Sequence, residues 1–245
     1  MPKVDVYVAG FPCQPYSTVG KREGEHDTQG RGKIFPHLLS YVRHHLPRIF
    51  IFENVRGLTT IEKGRYLRRI IRALHNIKRP GSSDSAYEIH HKILNTKDHG
   101  LPHNRPRWYC VGILTNGTDW SGFEFPPVIP SRILDHFLDD DKVTSGNPHL
   151  TATNPTIQAN LKKARDAILA KGGNPDKDSY VVDCDASLRN SHHMLNQTPC
   201  ITRSRNRGHW ILNRSRRMTI DEIFRLQGIQ PVSYTHLTLP TTVQV

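Results

Sequence analysis

Between Val4 and Leu114 the apolar and polar positions follow two periods in turn, one of two residues and one close to 3.6. Val4 to Val8 alternates and reads as a buried strand. Gly10, Pro12 and Pro15 then break the pattern, which leaves Cys13 in a rigid turn at a strand's C-terminal end. Ile34 to Val42 has helical spacing, tolerates Pro36 in its first turn and stops before Pro47, as a crossover helix would. Arg48 to Phe52 is a short run of β-formers, a second buried parallel strand that delivers Glu53, Asn54 and Val55 at its end. Ile61 to Lys78 carries a helical apolar stripe ended by Pro80-Gly81. The arginines among it, Arg65, Arg68, Arg69 and Arg72, read as a solvated basic face. Tyr87 to Leu94 alternates again, Asp98 to Pro102 makes a turn, and Trp108 to Leu114 is a further apolar strand. This order predicts an α/β class with a partly parallel, doubly wound sheet, whose sites lie at the C-terminal ends of the strands.

From Asn116 the texture changes. Prolines at 126, 127 and 130, the acidic run Asp139-Asp140-Asp141 and Gly172-Gly173-Asn174-Pro175 punctuate irregular sequence with one helix near Ile157 to Leu169. Arg203, Arg205 and Arg207, followed by Trp210 and by Arg214, Arg216 and Arg217, form basic clusters around an aromatic and are expected to meet phosphates. Thr219-Ile220-Asp221-Glu222 has the form of a capping box for a helix running through Leu226. The organisation expected is 1–114, 115–200 as a separate loop-rich unit, 201–231 as a basic segment and returning helix, and 232–245 as a tail of doubtful origin without Asp, Glu, Lys or Arg.

A chain of 245 residues accommodates one α/β domain with a substantial core and a smaller appendage. Its formal net charge of +12 favours a polyanionic partner. The four cysteines are far apart and form no Cys-x-x-Cys pair, so neither a zinc ribbon nor a disulfide framework is expected. The adjacent pairs His44-His45, His90-His91 and His192-His193 lack metal-site spacing, and no metal is expected. Without an apolar run near 18 residues or a signal-like N-terminus, the expected setting is intracellular: nuclear in a eukaryote, cytoplasmic in a bacterium.

Gly10-Phe11-Pro12-Cys13-Gln14-Pro15-Tyr16-Ser17 resembles the nucleophile loop of the cytosine-C5 DNA methyltransferases. Glu53-Asn54-Val55, the segment Asn95 to Arg107 and the helix Arg217 to Gly228 resemble three further motifs of that family in the same order. His99 and His103 stand where the family has an aromatic and Gln. The resemblance implies a Rossmann-like methyltransferase sheet with a smaller target-recognition domain. It also implies S-adenosylmethionine as methyl donor, and duplex DNA with a flipped-out cytosine as substrate. Cys13 is then the nucleophile that adds to C6, and Glu53 the group that meets the charge developing at N3. Arg105 and Arg107, one residue apart on an extended segment, would hold the base carbonyl and a nearby phosphate, or else form a structural salt bridge. Gln14, Ser17, Asn54, Arg203, Arg205, Arg207 and Arg217 are expected at the substrate, and Pro12 and Phe35 at the cofactor. The family's Gly-rich cofactor segment and its closing Gly-Asn segment have no counterpart here, so a fragment is expected. Two other readings stay open: methylation of tRNA, and a non-catalytic DNA-binding relative.

Overall fold

The computed structural model describes residues 2–12, 34–115, 121–140 and 154–229. The chain forms two compact units, Met1–Leu94 with Pro106–Pro126, and Asn95–Arg105 with Pro127–Val245. Residues 95–105 thus leave the first unit, whereas the sequence reading kept them inside 1–114. Backbone bonds explain this: Asn104 N–H donates to the Thr198 carbonyl at 2.9 Å and Thr198 N–H to the Pro102 carbonyl at 2.8 Å.

In unit 1, β1 (Val6–Gly10), α1 (Ile34–His45), β2 (Ile49–Val55), α2 (Arg65–His75), β3 (Tyr87–Asn95) and β4 (Pro106–Leu114) build a sheet of order β1-β2-β4-β3. β1 and β2 are parallel across the α1 crossover, and β4 runs antiparallel to β2. Alternation in β2 sends Phe50, Phe52 and Asn54 inward and Ile49, Ile51, Glu53 and Val55 to the less buried face. α1 ends with Arg43, His44 and His45, cations suited to a helix C-terminus. α2 buries Tyr66, Ile70 and Leu74, one per turn. It starts four residues later than its apolar pattern, because Glu62 and Lys63 have positive φ and hold residues 61–64 outside the helix. β1 is an edge of the described sheet, and the expectation of a buried strand is corrected there: Val6 and Val8 are 52% and 64% exposed.

In unit 2, α3 (Pro155–Leu169) is capped by Asn154, whose side chain accepts from Thr156 N–H, with Pro155 in its first turn. Four short strands, β5 (Tyr180–Val182), β6 (His193–Leu195), β7 (Trp210–Ile211) and β8 (Arg216–Arg217), form a second sheet of order β6-β5-β7-β8. α4 (Ile220–Leu226) opens with the anticipated capping box of Thr219 and Glu222. Among the described residues no helix is long and apolar enough to cross a membrane.

Candidate functional site

The end of β2 places Glu53 and Asn54 on opposite faces of the sheet. On the half-exposed face Arg107 Nε lies 3.0 Å from Glu53 Oε1. Register brings them together: Glu53 pairs with Tyr109 and Val55 with Arg107, so Arg107 is the diagonal cross-strand neighbour of Glu53. On the other flank Gly10 pairs with Glu53, and a β-carbon added there would already touch Glu53 Oε2 at 3.4 Å.

Asn54 is fully buried. Its Nδ2 donates to the Phe11 carbonyl at 3.1 Å, and its Oδ1 accepts from Val55 N–H at 2.9 Å. Both ends of the amide are committed to backbone, so Asn54 anchors the chain at Phe11, two residues before Cys13, and faces inward. Cys13, Gln14 and Ser17 lie outside the described residues. Burial pushes the Cys110 thiol up to about 12 and the Cys184 thiol up to about 11, which keeps both protonated and unreactive at neutral pH.

Arg105 and Arg107 belong to different units. Arg105 belongs to unit 2, where its N–H donates to Asn95 Oδ1 at 2.8 Å and its Nη1 to the Ile201 carbonyl at 3.3 Å. His103 in the same segment is fully buried, and its Nε2 accepts from Ile201 N–H at 3.1 Å. A glutamine carbonyl could accept the same bond, which rationalises the exchange at this position.

The basic clusters divide. Arg203 and Arg207 are exposed. Arg205 instead binds Asp183 through Nε, and Arg217 makes two bonds to Asp185, at 2.6 and 2.8 Å, and is 2% exposed. For Asp185 burial acts to raise the pKa, but the bonds and charge of Arg217 outweigh it and the net shift is downward. A phosphate contact by Arg217, as the sequence suggested, has no exposed face to use. Asp183 and Asp185 are the residues that sequence reasoning missed. No local signal marks them, because Arg217 and Asp185 are 32 positions apart. Asp183 Oδ1 lies 3.8 Å from His209 Nδ1, and burial of the His209 ring lowers its pKa.

Of the residues expected to bind the methyl donor, Phe35 is 7% exposed, with its ring 6.1 Å from Phe11 and 6.3 Å from Phe52, and belongs to the core. Pro12 is half-buried at the strand end. These two do not compose a donor site.

A parallel β-α-β crossover with a carboxylate and an arginine at the strand ends makes unit 1 an α/β unit of the kind in which sites form at the carboxyl ends of strands. In fold the chain is similar to the Entamoeba histolytica methyltransferase EhMeth, with a TM-score of 0.59 at 18% identity over 97% of this chain and 69% of that one. The sequence model of the family described as C-5 cytosine-specific DNA methylase matches residues 1–238, and the chain belongs to that family. It is 32% identical over 241 residues to the type II methyltransferases M.HaeII of Haemophilus aegyptius and M.NgoBI of Neisseria gonorrhoeae. These matches cover 93% of this chain and 64% of each relative, so the chain spans under two thirds of their length.

Proposed function

We propose that this chain carries the covalent chemistry of cytosine C5 methylation in DNA. The observation that carries the reading is the pairing of Glu53 with Arg107 beside Gly10, at the strand ends immediately before Cys13. The Cys13 thiolate adds to C6 of a cytosine taken out of the duplex. The S–C6 bond forms, the C5–C6 π electrons move to make C5 an enamine-type carbon, and N3 takes up a proton. Glu53 meets N3, holding or delivering that proton. Arg107 is a positioning residue that fixes the Glu53 carboxyl by a charge-assisted bond, and Asn54 is one that fixes the chain entering the Cys13 turn. Gln14 and Ser17 flank the nucleophile, and Arg105 supports the segment preceding β4. Arg203 and Arg207 are the proposed phosphate contacts in unit 2. The donor proposed from the family is S-adenosylmethionine, whose chemistry when bound would be that of an electrophilic methyl group. Ring restoration needs loss of a C5 proton, expulsion of the Cys13 thiolate and return of the N3 proton to Glu53. The family description supports DNA as substrate over tRNA.

Reversible addition alone lets C5 exchange its proton with water, so the test needs no donor. Tritium release from duplex DNA labelled at cytosine C5 is expected for the wild type. It should vanish in Cys13→Ala and fall about 10²–10⁴-fold in Glu53→Gln. Undiminished release from Cys13→Ala overturns the mechanism.

A further inference from the structure

The four arginines of α2 stand at i, i+3, i+4 and i+7 from Arg65, so Arg65, Arg68, Arg69 and Arg72 share one face, and all are exposed. The opposite face is apolar and buried through Tyr66, Ile70 and Leu74. Arg69 pairs with Glu62 at 3.2 Å. Among the described residues no carboxylate pairs with Arg65, Arg68 or Arg72. The helix itself holds no acidic residue, and its first turn begins with Arg65. Like charges at this spacing weaken a helix, and a cation in the first turn opposes the helix dipole. The arrangement therefore works against the isolated helix and becomes favourable when a polyanion lies along it.

We propose that this face of α2 is an additional docking surface for the phosphate backbone of duplex DNA, apart from the strand ends that hold Glu53. The proposal rests on the reading that DNA is the partner. The stripe is about 10 Å long at 1.5 Å per residue, which measured along the duplex axis corresponds to about three phosphates of one strand. Guanidinium forks are suited to phosphate oxygens. A membrane surface fits less well, because an interfacial helix needs an exposed apolar face and α2 turns its apolar face into the core.

The test compares wild type with Arg65→Gln/Arg68→Gln/Arg72→Gln and with the corresponding Lys triple variant, by anisotropy on 12- and 40-base-pair duplexes over a salt series. On the longer duplex the Gln variant is expected to lower the slope of log K against log salt by about 2–3, at about 0.9 per lost phosphate contact. The Lys variant should keep the slope. Melting temperature should hold or rise in the Gln variant, since repulsion is removed, whereas a structural role would lower it. An unchanged slope with intact wild-type binding overturns this proposal and leaves the function standing, and so does loss of the slope in the Lys variant. A wild type with no DNA affinity overturns both. Binding to anionic phospholipid vesicles that depends on these arginines, with DNA binding unaffected, overturns it in favour of a membrane.

Discussion

Large aromatic side chains fill the interior of unit 1. The Phe50 ring stacks 4.8 Å from Phe52 and meets Tyr87 edge-on at 5.0 Å, while Tyr7 and Phe35 approach Phe52 from its edges. The interior of unit 2 is divided into two smaller apolar clusters, one around Leu134, Val181, Ile211 and Leu226 and one around Ile157, Ile168, Val182 and Trp210. Between its segments run buried or half-buried ion pairs: Arg216 with Glu222, Arg217 with Asp185, Arg205 with Asp183 and Arg225 with Asp139. Aromatic packing resists deformation by shape, whereas an ion pair between short strands holds distant segments through a few directed bonds. The difference teaches that an arginine-rich stretch does not by itself face a partner. The arginines of α2, on the unit with the larger core, point outward, and several in unit 2 are its internal ties.

The sharpest way to break this comparison is at Glu222. It is fully buried, takes two bonds from Arg216 at 2.8 and 3.0 Å, and accepts from the N–H groups of Thr219 and Asp139 at 2.7 Å each. Glu222→Ala leaves the Arg216 guanidinium buried without its carboxylate and is expected to cost about 3–5 kcal/mol. Denaturant unfolding, with hydrogen exchange to locate the loss, should find it in unit 2. The double variant Arg216→Met/Glu222→Leu should recover part of it, because a well-packed apolar pair carries no stranded charge while the Thr219 and Asp139 N–H groups still lose their acceptor. A loss below 1 kcal/mol in the single variant contradicts the charge-held picture.

Unit 1 should break by volume instead. Gly112 on β4 pairs with Phe50, and an added β-carbon would fall 2.1 Å from the Phe50 ring. Phe50 is fully buried between Phe52 and Tyr87, so the ring has little room to yield. Gly112→Ala is expected to cost about 1–3 kcal/mol from overpacking. Phe50→Leu in that background should return part of it, a coupling that a double-mutant cycle would read.

These contrasts also mark what was legible in the sequence. β2, α1, β4, α3 and α4 announced themselves because each has a full period of apolar residues or an explicit cap, as at Thr219 and Glu222. β7 and β8, two residues each, are too short to show any period. That Glu53 would stand at a strand end was legible from the run before it. Its pairing with Arg107 depends on β4 lying antiparallel beside β2, a long-range choice that no local pattern encodes. The same holds for Arg217, whose burial follows from a partner 32 positions away. The late start of α2 escaped because positive φ at Glu62 and Lys63 leaves the apolar spacing intact.

The smallest expected effect lies at the same corner of unit 2 as the largest. Thr219 Oγ1 accepts from Glu222 N–H at 3.2 Å and donates to Asp139 Oδ2 at 2.8 Å. Removing the hydroxyl in Thr219→Ala deletes one neutral cap bond and one bond to a carboxylate that also binds Arg225. Arg216 and Glu222 stay paired, and Glu222 can still accept from the residue 219 N–H. The cost should therefore stay near that of an ordinary N-cap, about 1 kcal/mol, with faster amide exchange confined to the first turn of α4. Thr219→Ser, which keeps the hydroxyl, should behave as wild type. If Thr219→Ala cost as much as Glu222→Ala, the cap and not the buried charge pair would be holding this corner, and the contrast between a unit held by shape and one held by charge would lose its strongest support.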